Sequence, residues 1–476
     1  MEKQKILKVR DIVLMNVVAI IGLRWLPLAA KYGPSSIILW LLASILFFIP
    51  QGLTVSELST GWPYEGGLYV WAKEAFGEKY GFLTSWSYWL TNVVYYPSML
   101  IYIASTAAYM VNPKLAENDR FVSIFIFILF WIITLINVNG LNISKWLSNA
   151  GGLFGTIIPG ILLIGFSIYW VTGLHQKIQT VYTAPSLLPN LSSLSNIVFF
   201  SSMIFAFAGL ELAPTLAERT ENPEKAFPRA ILLSAMIIPA LYILGTISTT
   251  FIVPPKEIGL ATGIMQAIQI IFNKMGLKYM IGIAAFLIFI GGIGGINAWI
   301  IGPINMIFTS SKGIMPPFFT KSHDKYGTPV NAMITQAVIV SLLILMAFST
   351  PTVESAYWLL SAMTSILYFI PYLVMFSALI VLRYKRPDVK RLYKIPFGNF
   401  GAWLVGGIGL LVVSFSIVLS IIPPAGMELG NLLWYEVKLV GGTLLFLIIG
   451  YLIYRNYEKR NVNIKDIPLY GMPLMP

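Results

Sequence analysis

The chain has 476 residues, of which 57% are hydrophobic and only 11% charged, with a mean hydropathy of +0.77 and a formal charge of +12. A soluble domain carries about 25% charged residues, so this composition excludes a soluble enzyme or binding module and leaves an integral membrane protein. Cysteine is absent, which removes disulfide and thiolate chemistry.

An α-helical span needs about 20 apolar residues. Twelve runs qualify, at 11–30, 36–56, 80–111, 121–140, 148–172, 194–216, 229–252, 278–308, 330–349, 353–382, 402–422 and 432–454. The reading is all-α, with twelve transmembrane helices. The first run reads as a retained helix, because its apolar stretch outlasts a leader's and no small-residue cleavage site follows. Within it, Ile20, Ile21, Gly22, Leu23, Arg24 and Trp25 place a glycine and a charge in mid-span. A charge near the bilayer centre costs roughly 2.5–3.5 kcal/mol, and a glycine beside it lets the helix unwind over a cavity.

After the second run, Pro63-Tyr64-Glu65-Gly66-Gly67 reads as a turn feeding an amphipathic helix through Phe76, a gating contact. Asn92, Tyr95 and Tyr96 are polar candidates in the third run. The fifth run carries closely spaced glycines at Gly151, Gly152, Gly155 and Gly160, a packing signal. His175 reads as a solvated loop residue. The sixth run repeats the device of the first: Phe205, Ala206, Phe207, Ala208, Gly209 and Leu210 lead to Glu211. In the eighth, Gly291, Gly292, Gly294 and Gly295 precede Asn297 and Trp299. His323 follows in a loop. After the tenth comes the densest basic cluster, Arg383, Lys385, Arg386, Lys390, Arg391 and Lys394. Most of the 32 Lys and Arg fall on that same side. The positive-inside bias puts both termini in the cytoplasm and the chain in the cell membrane. The basic excess is therefore a topology signal, and no nucleic-acid partner is expected.

The first ten runs divide into two sets of five, each opened by an interrupted helix. Five is odd, so the second set enters from the opposite side, as an inverted repeat. Residues 1–172 hold spans one to five and 173–393 spans six to ten. Residues 394–476 lie outside the repeat and are left to packing or oligomerisation, a homodimer among the options. Paired interrupted helices point to a secondary transporter's substrate site. A helix end at each break offers unpaired carbonyls to a cation or N–H groups to an anion, which suits the two charged groups of an amino acid. The carbonyls near Phe205–Ala208 would take the ammonium. Arg24 either pairs bidentately with a substrate carboxylate or pairs internally with Glu211, or snorkels to the surface. Glu211 is either a proton acceptor or a backbone-bonded cap.

Several stretches resemble the amino acid–polyamine–organocation superfamily: Ala19-Ile20-Ile21-Gly22, Glu57-Leu58 followed by Pro63 to Tyr69, and Glu218-Arg219-Thr220-Glu221-Asn222-Pro223. Gly209-Leu210-Glu211, Trp299-Ile300-Ile301-Gly302-Pro303, Lys312 to Pro317, and Arg386 to Arg391 with Ile395-Pro396 are similar to the glutamate/γ-aminobutyrate antiporter family. The resemblance implies a five-plus-five inverted-repeat transporter exchanging amino acids, with an acidic amino acid and its decarboxylation product as one pair. Spans one, two, six and seven would rock against three, four, eight and nine. It places Phe205 where an aromatic occludes the site, with Trp25 and Trp299 as weaker gates. Proton-coupled uptake of a neutral amino acid or amine is the alternative, and a channel or nutrient receptor the remote one. The sequence departs from the superfamily at Gly22-Leu23-Arg24, where Gly-Ser-Gly is usual, and span five has no lysine. No metal cluster, phosphate loop or nucleophile–base pair is present in the sequence, so neither a cofactor nor an enzymatic reaction is expected.

Overall fold

The computed structural model describes residues 8–64, 66–138, 156–211, 220–310, 313–321 and 328–460. Glu65, Gly151, Gly152, Gly155, Glu218, Arg219, Lys312, His323 and residues 212–216 of the sixth predicted span lie outside the described residues. Among the described residues there is no β-strand, and eight helices are long and apolar enough to cross a membrane.

The chain opens with α1 (Val9–Ile20), breaks at Ile21–Arg24, and resumes in α2 (Trp25–Ala30). Next come α3 (Ser36–Ala43) and α4 (Ile49–Gly61), joined by a π-turn at Ser44–Phe48. The short α5 (Leu68–Phe76) and the 31-residue α6 (Glu78–Ala108) follow, then α7 (Asp119–Val138) and α8 (Ile158–Thr172). The sixth predicted span contributes only α9 (Phe200–Ala206) before its own break. Beyond it lie α10 (Pro223–Ile252), α11 (Gly263–Lys274), α12 (Tyr279–Ser310), α13 (Val330–Ala347) and α14 (Val353–Lys385). The described chain ends with α15 (Gly398–Ile421), α16 (Leu432–Glu436) and α17 (Gly442–Lys459). The side where α1 begins is called the near face, and the side where α2 ends the far face.

Helices α6 and α14 pack along each other at the centre, with α12 on the other side of α6. Prolines interrupt the long helices, and at three of them the freed carbonyl is served from outside. A proline cannot donate to the carbonyl four residues back. For Pro371 that carbonyl is Leu367, which accepts the Ser87 hydroxyl at 2.9 Å. For Pro303 it is Trp299, which accepts the Tyr96 hydroxyl at 3.0 Å. For Pro239 it is Ala235, which accepts the Ser44 hydroxyl at 3.4 Å. Hydroxyls from neighbouring helices thus replace the water that lipid cannot supply. The eighth-span glycines serve packing: a Cβ on Gly292 would sit 2.5 Å from Ile103 of α6. His175 is exposed.

The near face is closed by a buried charge cluster. Glu57 of α4 receives Arg383 of α14 through Nε at 2.5 Å and Nη2 at 2.6 Å, and the Ile395 N–H at 2.8 Å. Arg391 Nε lies 3.5 Å from the same carboxylate, its Nη1 donates to Val389 and its Nη2 to the Leu382 and Arg386 carbonyls. Its guanidinium also covers Trp62. Burial lowers the Arg391 pKa, with Arg383 adding to the effect and Glu57 opposing it.

Candidate functional site

Two breaks meet in the middle of the molecule. At the first, Ile21 turns to extended backbone (φ −68°, ψ 122°), and tight bonds from Trp25 N–H to the Gly22 carbonyl (3.2 Å) and Leu26 N–H to Leu23 (3.1 Å) restart the helix. Pro27 falls in the first turn of α2, where its missing N–H has no partner to lose. At the second break, Phe207 N–H reaches back to Ile204 (3.1 Å) and Ala208 N–H to Phe205 (3.0 Å). Gly209 then adopts φ +135°, a conformation side-chain-bearing residues rarely take. The Tyr242 hydroxyl of α10 lies between the breaks, 2.8 Å from the Ile20 carbonyl, 3.2 Å from the Ala206 carbonyl and 3.3 Å from the Gly22 N–H.

Glu211 is buried at the second break and held by neutral donors. Its Oε1 accepts the hydroxyls of Tyr88 (3.1 Å) and Tyr368. Its Oε2 accepts the Tyr372 hydroxyl (2.5 Å) and the Gly209 N–H (3.0 Å). Gln51 completes the cage. In the amide orientation that satisfies both its ends, the nitrogen donates to the Phe207 carbonyl (3.1 Å), and the oxygen accepts from Leu210 N–H (3.2 Å) and faces the Tyr372 hydroxyl (2.7 Å). Tyr368 and Tyr372 lie one helical turn apart, so both reach the carboxylate from one face of α14.

Arg24 is 2% exposed, so it does not snorkel, and no ion pair joins it to Glu211. Its Nη1 donates to Ser98 Oγ at 3.1 Å, while Nε and Nη2 complete no hydrogen bond. The guanidinium lies 3.9 Å from the Trp25 ring centroid and 4.5 Å from that of Tyr95.

The predicted aromatics cluster beside the breaks. Phe205 packs edge-on against Trp25 (5.1 Å) and tilted against Tyr368 (5.0 Å). Farther out, Phe199 contacts Tyr32 (6.0 Å) and Trp358 (4.9 Å) and borders a far-face cavity of about 480 Å³ that also touches Lys31, Glu117, Glu354 and Glu428. The Trp299 carbonyl accepts the Tyr96 hydroxyl at Pro303. Asn92 is spent on the Tyr88 carbonyl. Sequence reasoning missed Tyr88, Tyr368, Tyr372, Gln51 and Tyr242. The one available signal was polar-headed aromatics at helical spacing in buried spans.

Discontinuous helices around an enclosed, charged centre in an apolar helical bundle define a class, the membrane secondary transporters. A family model described as "Amino acid permease" matches residues 7–448. The chain is 35% identical to an uncharacterized transporter of Legionella pneumophila over 96% of its own length and 98% of that protein's. It is 27% identical to a glutamate/γ-aminobutyrate antiporter of Lactococcus lactis, covering 88% of this chain and 84% of the relative. A probable agmatine/putrescine antiporter of the same species is 25% identical over 89% of each. The chain belongs to the amino acid permease family.

Proposed function

We propose that this protein exchanges amino acids across the cell membrane by alternating access. In this reading twelve helices cross the bilayer, residues 1–172 and 173–393 form inverted repeats, 394–476 add the peripheral spans, and the near face with both termini is cytoplasmic. The observation that carries it is the meeting of the two breaks, at Gly22 and Gly209, through one shared hydroxyl. Backbone from Ile20 to Arg24 and from Phe205 to Gly209 then supplies N–H groups to the substrate carboxylate and carbonyls to its ammonium. Phe205, backed by Trp25, is the gate between this site and the far face. The relatives named as antiporters favour exchange over uptake. Counterflow in proteoliposomes tests it: label should accumulate only where unlabelled substrate is trapped inside. Equal uptake into empty vesicles would remove the exchange mode.

Proton-coupled uptake is the second reading, favoured by the Glu211 cage. Its side-chain partners are uncharged groups that can donate to a carboxylate or accept from a carboxylic acid. Tyr372 has one proton, to give either to Glu211 or to Gln51. In the latter state Glu211 can hold a proton of its own without breaking an ion pair. Uptake into empty vesicles driven by an inward proton gradient, and lost in Glu211→Gln, would establish this mode.

A further inference from the structure

The Arg24 edge is unfinished in a specific way. Nε and Nη2 lie on one side of the guanidinium plane, the side that grips a carboxylate through two parallel bonds. The chain itself shows the completed form: Arg383 uses its own Nε and Nη2 to hold both oxygens of Glu57. At Arg24 the same edge is buried and empty of partners. The aromatic faces of Trp25 and Tyr95 steady the cation but offer no acceptor to its N–H groups.

The surroundings add hydroxyls. The guanidinium is within electrostatic reach of the Tyr102 and Tyr357 hydroxyls. Both hydroxyls are buried and complete no hydrogen bond, and neither does Ser361 Oγ. Hydroxyls able to donate to an anion stand with the two unpartnered N–H groups, and a buried unpaired cation is costly. The Nε–Nη2 edge fits an anion with two oxygens in a plane.

We propose that the Nε–Nη2 edge of Arg24, with the Tyr102 and Tyr357 hydroxyls, is an anion subsite that takes a carboxylate carried on the side chain of the transported amino acid. The inference rests on the exchanger reading for the binding of the substrate backbone. Arg24 is then a specificity-determining residue, and cargoes with a second carboxylate outrank their neutral isosteres. A free inorganic anion such as chloride has the same chemistry and is the competing source.

Equilibrium binding to the purified protein in detergent separates the cases without any transport step. The probes are L-glutamate and L-aspartate against L-glutamine and L-asparagine, each measured in chloride and in gluconate. One of the acids should bind wild type about ten- to a hundredfold tighter than its amide, in either salt. Arg24→Met should bring that ratio close to one with amide binding kept. Arg24→Lys, which keeps the charge and loses the fork, should fall between, and Tyr357→Phe should narrow the ratio less. Retained thermal unfolding and monodispersity identify variants that fold. Equal binding of acid and amide to wild type, no binding of either acid, or equal loss of both in Arg24→Met would overturn the proposal. Binding of acid and amide alike that requires chloride would assign the edge to the inorganic ion instead. Failure of counterflow with this acid preference intact would count against the exchanger reading alone.

Discussion

Arg391 and Arg24 are both buried arginines in apolar surroundings, and the chain treats them in opposite ways. Arg391, with Arg383, is served by the Glu57 carboxylate and by the Val389, Leu382, Arg386 and Ile395 carbonyls, although Arg391 Nε faces that carboxylate at 3.5 Å without completing a hydrogen bond. Arg24 has one hydroxyl, two aromatic faces and an unserved edge. The same split separates the buried carboxylates: Glu57 is pinned by cations, Glu211 cradled by phenols. Saturated charge holds helices together. Charge without an ionic partner at the breaks is where the proposed exchange would act.

Substitutions at the near face should therefore cost folding, and those at the centre should cost transport. The largest effect belongs to Glu57→Gln. It strands two buried guanidinium groups and should destabilise the protein by about 3–5 kcal/mol, read as a fall in thermal unfolding temperature in detergent. An unchanged melting curve would break the contrast between the two regions. Next is Gly209→Val. At φ +135° a β-branched residue is strained by about 1–3 kcal/mol, so transport should vanish while the protein still reaches the membrane. Wild-type transport in that variant would show that the second break is not needed. Phe205→Ala should follow, slowing exchange about tenfold with a smaller effect on equilibrium binding, because a gate acts on the passage between states. Parallel loss of both would make Phe205 an ordinary contact. The smallest effect sharpens the comparison most: Arg24→Met should shift stability by less than about 1 kcal/mol, or raise it, since an unpaired buried cation is being removed.

The breaks and their charges were legible because a glycine beside a charge is conspicuous in an apolar run. Arg24 and Glu211 stand out for that reason. Their relation to each other was not legible. Both follow a break glycine, but the direction each side chain takes depends on how α2 and α9 are packed, and the two do not pair. The phenols around Glu211 were hidden for a different reason. A tyrosine costs little in a membrane helix and commonly packs by its ring, so Tyr88, Tyr368 and Tyr372 carry no sequence mark until a carboxylate is found among them. The helices interrupted by proline make the same point. Pro371, Pro303 and Pro239 are visible in the sequence, yet Ser87, Tyr96 and Ser44 become their partners only across a helix interface. Likewise the Trp299 carbonyl finds the Tyr96 hydroxyl only across that interface.

Tyr242 has one proton and two carbonyls to give it to, at Ile20 and Ala206. Whichever carbonyl receives it, the other goes short, so the empty transporter cannot satisfy both broken helices at once. In the proposed exchange reading, an ammonium group arriving between them would bring the second donor. Loading the cargo and settling the two half-helices then become a single event. In that reading the carrier would be frustrated without cargo and at rest with it, which would disfavour the idle return journey and couple one cargo's departure to the next one's arrival.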